Sequence, residues 1–118
     1  MSADHPECTS EHGQMRSLSH VSDDTLEKAS RIFRALGDPS RLRLLTILSE
    51  GEACVSELAE QDQISTVSQR LRTLRSENLV SRKRNGKHII YGLADAHVLD
   101  LIVNALEHAG ETFEDNID

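Results

Sequence analysis

The chain has 118 residues, room for one small domain with a modest core, and a formal net charge of −7. No apolar run approaches the length of a membrane span and no basic, apolar, small-residue series resembles a signal peptide, so a cytoplasmic protein with no membrane partner is expected. Two cysteines, Cys8 and Cys54, make no disulfide framework, and in a reducing compartment they read as thiols or metal ligands.

Residues 1–20 are polar, contain Pro6 and Gly13 and lack apolar periodicity, which predicts a flexible arm; it nevertheless carries His5, Cys8, His12 and His20. A single domain is expected over 21–112. Its first helix should open near Ser22 to Asp24 with acids in the first turn, repeat Leu26, Ala29, Ile32, Phe33 and Leu36 at helical spacing, and end at Gly37. Asp38-Pro39 then supplies an N-cap followed by proline at the first helical position, opening a second helix through Leu42, Leu45 and Leu48 to Gly51. Cys54 to Gln61 predicts a short third helix with Val55, Leu58 and Ala59 inward. After the polar turn Gln61-Asp62-Gln63, a fourth helix starts at Ser65 or Thr66, so the pair predicts a helix-turn-helix.

In the fourth helix Val67, Leu71 and Leu74, spaced four and three apart, face the core and leave Ser65, Thr66, Ser68, Gln69, Arg70, Arg72 and Arg75 toward solvent or DNA. Leu79 to Arg84 and Lys87 to Leu93 flank Asn85-Gly86, the dipeptide that most readily takes the positive φ angles of a type I′ hairpin turn, and so predict a β-wing with a basic tip. The last helix is expected over Asp95 to Gly110, where Val98, Leu101, Ile102, Ala105 and Leu106 form an apolar stripe that a partner helix could cover. Residues 113–118 make an acidic tail. The fold class is therefore mainly α with a small β-hairpin, a winged helix-turn-helix.

The distribution of charge points to a polyanion. Between Ser65 and Lys87 stand seven basic residues (Arg70, Arg72, Arg75, Arg82, Lys83, Arg84, Lys87) and one acid, Glu77, whereas beyond Lys87 there are seven acids and neither lysine nor arginine. A concentrated basic surface on an otherwise acidic chain favours an oriented contact with phosphates over indiscriminate adhesion.

Asp95-x-His97 and His108-x-x-Glu111 are four groups that suit a first-row metal, set into the last helix. An eleven-residue step returns to within about 20° of the same face but separates His97 and His108 by roughly 16 Å along the axis, so one helix cannot close the shell. An antiparallel partner helix across a two-fold axis brings Asp95 and His97 of one chain beside His108 and Glu111 of the other, twice per dimer. Imidazole and carboxylate together suit tetrahedral Zn²⁺, and a closed four-ligand shell leaves no position for a catalytic water, so the site reads as regulatory. Neither H-E-x-x-H nor a comparable motif is present, and no enzyme is expected.

Several strings together resemble the ArsR/SmtB family of metal-sensing winged-helix repressors over roughly residues 22–111: Ala35-Leu36-Gly37-Asp38-Pro39-Ser40-Arg41-Leu42-Arg43-Leu44-Leu45, Cys54-Val55-Ser56-Glu57-Leu58-Ala59, Val67-Ser68-Gln69-Arg70-Leu71-Arg72-Thr73-Leu74-Arg75, the wing and Asp95-x-His97. The resemblance implies a homodimer through the first and last helices, a fourth helix in the major groove of a palindromic operator, and repression of metal efflux or sequestration genes that metal binding relieves. It assigns the last-helix quartet to Zn²⁺; the ligand chemistry also admits Co²⁺ or Ni²⁺ there, and thiolates would favour Zn²⁺ or Cd²⁺. It also implies a second site from arm ligands of one chain, Cys8 and His12, and third-helix ligands of the other, Cys54 and Glu57; Cys54 reads equally as a small apolar core residue. Ser56 stands where thiophilic members carry a second cysteine. Ser65, Ser68 and Gln69 match groove-facing positions, and Arg70, Arg72, Arg82, Lys83, Arg84 and Lys87 suit phosphates. The alternative is a thiol redox-responsive repressor on the same fold using Cys8 and Cys54.

Overall fold

The computed structural model describes residues 20–59 and 62–111. The arm with Cys8 and His12, and the tail over 113–118, lie outside the described residues. The chain falls into two units that part between Arg31 and Ile32, within the first helix, α1 (Asp23–Leu36). In the first unit Ser22 caps that helix by accepting the Thr25 N–H at 3.1 Å. Asp23 and Asp24 stand in the first turn, where carboxylates meet the positive end of the helix dipole. Lys28 pairs with Asp24, and Arg31 with Glu27, one turn apart.

In the second unit α2 (Pro39–Leu48) starts as expected, with proline at the helix start and the Asp38 carboxylate accepting the Arg41 N–H at 3.0 Å. The Arg41 guanidinium turns back and donates to the carbonyls of Ala35 at 2.8 Å and Arg34 at 3.3 Å. Those are end-of-helix carbonyls; that of Arg34 also accepts the Gly37 N–H at 3.2 Å, and Arg41 bonds to both and ties down the corner at Gly37. After α2 come β1 (Ala53–Cys54), α3 (Val55–Leu58), α4 (Ile64–Ser76), β2 (Val80–Asn85), β3 (His88–Leu93) and α5 (Ala96–Gly110). The core gathers Leu44, Leu45 and Leu48 of α2, Val67, Leu71 and Leu74 of α4, and Val98 and Ile102 of α5, with Leu58, Leu79 and Val80 closing it.

Two details of the wing differ from the sequence expectation. The sheet has three antiparallel strands in the order β1-β3-β2, because Ala53 and Cys54 pair with Tyr91 and Ile90. The hairpin ladder also continues to Asn85 opposite His88, so the two-residue loop is Gly86-Lys87, one residue later than Asn85-Gly86. Gly86 has φ +66°, while neither Asn85 nor Lys87 is positive. That is the signature of a type II′ turn, which needs glycine only at its first central position and so leaves the second open to a lysine.

Helix α4 ends in a Schellman motif that the sequence reading did not identify. Asn78 is left-handed at φ 59°, its N–H reaches the Arg75 carbonyl at 3.0 Å, and the Leu79 N–H reaches Leu74 at 2.9 Å, while both leucines are buried. This junction sets where the wing departs from α4. Replacing Asn78 by valine is expected to lower stability by about 1–2 kcal/mol or more in chemical denaturation, since a β-branched residue resists that backbone, whereas Asn78→Gly should be close to neutral.

Candidate metal half-sites and DNA-facing surface

The four last-helix residues sit at the two ends of α5. Asp95 is the N-cap: its Oδ1 accepts the Val98 N–H at 3.2 Å and lies 3.7 Å from His97 Nδ1. At the other end His108 Nδ1 lies 3.6 Å from Glu111 Oε1, and Glu111 is the C-cap residue. Both separations exceed hydrogen-bond length. All four side chains are exposed, His97 almost completely at 97%. Among the described residues of one chain, no three histidine, cysteine or acidic groups come together to hold a metal. What one chain presents is two exposed imidazole–carboxylate pairs, one at each end of α5.

Asp95 is thus an N-cap as well as a candidate metal ligand, and substitution can separate the two. Asp95→Ala should cost about 0.5–2 kcal/mol by removing the cap, while Asp95→Asn should keep the cap and its stability but weaken metal binding at the N-terminal pair. Thermal unfolding read beside a zinc titration distinguishes the two losses.

Cys54 ends β1 and caps α3, and it is half-buried rather than a core residue. Its N–H donates to Glu57 Oε1 at 2.8 Å, and its sulfur lies 3.1 Å from the Ser56 hydroxyl. The Cys54 N–H, then the Cys54 side chain, hold the Glu57 carboxyl below the ordinary carboxylate range; His88 adds to this and desolvation opposes it. A depressed carboxylate adds stability above the ordinary range and loses it as pH falls through the folded value. Cys54 and Glu57 thus share one turn, as their spacing suggested.

On α4 the buried side is Val67, Leu71 and Leu74. Ser65, Gln69, Arg72 and Arg75 are exposed, whereas Thr66, Ser68 and Arg70 are half-buried. Arg70 reaches across the helix-turn-helix to Asp62 Oδ2 at 3.2 Å. It therefore pairs with the acid that stands just ahead of α4, an engagement that the phosphate contact expected of it would have to share. Gln63 caps α4 without a side-chain bond, and no acid occupies its first turn. Neither the cap residue nor the first turn therefore places a carboxylate against the positive end of that helix.

In the wing, alternation puts Arg82 and Arg84 on one face and Lys83 on the other. Lys83 Nζ pairs with Glu52 at 3.2 Å. Glu52 precedes β1, two strands away, and it reaches β2 by lying over β3 at Gly92, where an added Cβ would stand 3.1 Å from Glu52 Cγ. Lys87 occupies the hairpin loop and is exposed. The links Arg70–Asp62 and Lys83–Glu52 carry no local sequence signal, since each partner lies well outside helical or strand spacing.

Comparison with known proteins matches residues 38–82 to the model of the bacterial regulatory protein arsR family, a span running from the cap of α2 into β2. A transcriptional repressor SmtB homolog from Synechocystis sp. is 42% identical over 94 residues, covering 78% of this chain and 71% of its own. The cadmium resistance transcriptional regulatory protein CadC homolog of Staphylococcus aureus is 34% identical over 85 residues, 70% of each chain. Among solved structures, the homodimeric winged helix-turn-helix DNA-binding domain from Mycobacterium bovis superposes with TM-score 0.74 at 30% identity, covering 80% of this chain and 92% of that one.

Proposed function

This chain belongs to the arsR family of bacterial regulatory proteins, whose members are DNA-binding transcription regulators and not enzymes, and from that premise we propose that it is a zinc-responsive repressor of metal efflux or sequestration genes. The observation that carries the reading is the arrangement of α5: two exposed imidazole–carboxylate pairs at opposite ends of one helix, neither sufficient alone. A two-fold related copy supplies the missing half, Asp95 and His97 of one chain meeting His108 and Glu111 of the other. The donor set, two imidazoles and two carboxylates, fits Zn²⁺ and also admits Co²⁺ or Cd²⁺. A bound ion would supply a cross-link between the chains.

The homodimer is supported by the solved neighbour and by apolar side chains left uncovered in one chain, Leu26 and Phe33 on α1 and Val103 and Leu106 on α5. In the DNA-binding state Ser65, Thr66, Ser68 and Gln69 of α4 address base edges of a palindromic operator. Arg72, Arg82, Arg84 and Lys87 address phosphates, with Lys83 available after exchange from Glu52 and Arg70 steadying the turn. Because α5 would join the two chains, a ligand clamped across its ends biases the separation of the two α4 helices. Metal and operator then weaken each other by one equilibrium factor. The described residues contain no helix long and apolar enough to cross a membrane. The work is proposed to take place in the cytoplasm, on DNA.

The test is a titration of the homodimer against a duplex selected from a random pool, in chelator and then in Zn²⁺, Cd²⁺ or Co²⁺. Weaker operator binding in metal is expected. Affinity indifferent to every metal would remove the sensor reading, and a response to oxidant that a Cys8/Cys54 double alanine variant abolishes would establish thiol sensing in its place. A metal response lost in that variant would instead transfer the leading role to the Cys8, His12, Cys54 and Glu57 set.

A further inference from the structure

Ile64 is the first residue of α4 and is 55% exposed. It continues the apolar row of Val67, Leu71 and Leu74 one turn beyond the end of the core, and it belongs neither to the buried cluster nor to the partly buried residues packed on it. No burial among the described residues of one chain explains an isoleucine here. Gln63 stands at the cap, no acid occupies the first turn of the helix, and the nearest described acid, Asp62, is paired with Arg70 at 3.2 Å. Ser65 and Gln69, both exposed, follow on the same helix.

The leading residues of a recognition helix are the ones that reach base edges. Those edges are polar in the major groove, except for one group, the C5-methyl of thymine. An isoleucine carried into the groove at this position either packs on that methyl or stays wetted beside polar edges. We propose that Ile64 reads a thymine methyl in each operator half-site, so that the repressor's specificity includes an apolar contact beside the hydrogen bonds of Ser65 and Gln69. This rests on the operator-binding reading above.

The experiment uses the full-length homodimer without metal and the duplex selected from a random pool. Each thymine is replaced in turn by deoxyuridine, which keeps base pairing and removes only the methyl. Wild type is expected to lose about fourfold in affinity at one position per half-site, the worth of burying one methyl-sized group, and about fifteenfold when both half-sites are changed. Ile64→Ala should bind the thymine duplex correspondingly less well and should show no further loss on deoxyuridine. Thermal unfolding of the variant should match wild type, because Ile64 supports no core. Thymine-independent binding by wild type, or losses from Ile64→Ala and deoxyuridine that multiply, would overturn the inference while leaving sequence-specific DNA binding in place. Failure to enrich any sequence would overturn both readings.

Discussion

Replacing His97 by alanine is expected to abolish the metal response while leaving metal-free operator binding unchanged. The side chain is 97% exposed and its recorded contact is the 3.7 Å approach to Asp95, so its removal should move stability by less than about 0.5 kcal/mol. In the proposed dimer, however, it is one of four ligands in each of two symmetric sites, and losing it opens both. A coupling of about 1–3 kcal/mol, seen in wild type as a roughly 5- to 150-fold weakening of operator binding in zinc, should fall to about onefold. The measurement is the ratio of operator dissociation constants with and without Zn²⁺. Undiminished coupling in His97→Ala, together with its loss in Cys54→Ala, would move the switch away from α5.

The second large effect is on stability. Leu71 has no exposed surface and sits at the middle of the recognition helix, between Val67 and Leu74, which are equally buried. Leu71→Ala should cost about 2–5 kcal/mol, the transfer term plus the cavity left behind. Against a total stability of about 5–15 kcal/mol for an ordinary domain, that is enough to unfold a sizeable fraction near the transition temperature. Denaturant unfolding at fixed protein concentration, which holds dimer linkage constant, should show a lower midpoint with an unchanged slope. Arg72→Ala, one residue away but exposed, is the control and should lose DNA binding with little change in stability. A cost below about 1 kcal/mol for Leu71→Ala would mean that α4 is not anchored through this residue.

Much of the architecture is legible along the chain because its signals are local. Asp38-Pro39 announces the start of α2 by its own chemistry, and the four-and-three spacing of Val67, Leu71 and Leu74 marks the buried side of α4. The elements that escape such reading depend on partners distant in sequence. β1 is only two residues long, too short for alternation to register, and it exists because β3 presents an edge to Ala53 and Cys54. The hairpin register slipped by one residue because Gly86 can serve either as the second residue of a I′ turn or as the first of a II′ turn; the pairing of Asn85 with His88 decides it. Asn78 carries a turn propensity that becomes informative only with Leu74 and Leu79 meeting beneath it. At the two ends of α5 the spacing already placed His97 near Asp95 and His108 near Glu111, while the N-cap duty of Asp95 follows from its bond to Val98.

The reach of Glu52 over Gly92 to Lys83 bears on how DNA binding responds to salt. A cation that meets a phosphate releases condensed counterions from the duplex, which steepens the fall of log affinity with log salt by about 0.9 per phosphate neutralised. Lys83 arrives already bound to a carboxylate. In the proposed complex it would give up Glu52 to take a phosphate, and breaking an exposed pair of this kind costs about 0–1 kcal/mol, a cost that itself shrinks as salt rises. Arg84 lies on the opposite face of the same strand from the Lys83–Glu52 pair and would contribute its full share. On the proposed DNA contacts, the missing side chain in the central strand, by admitting Glu52, would make two neighbouring wing cations unequal in the ionic strength they answer to.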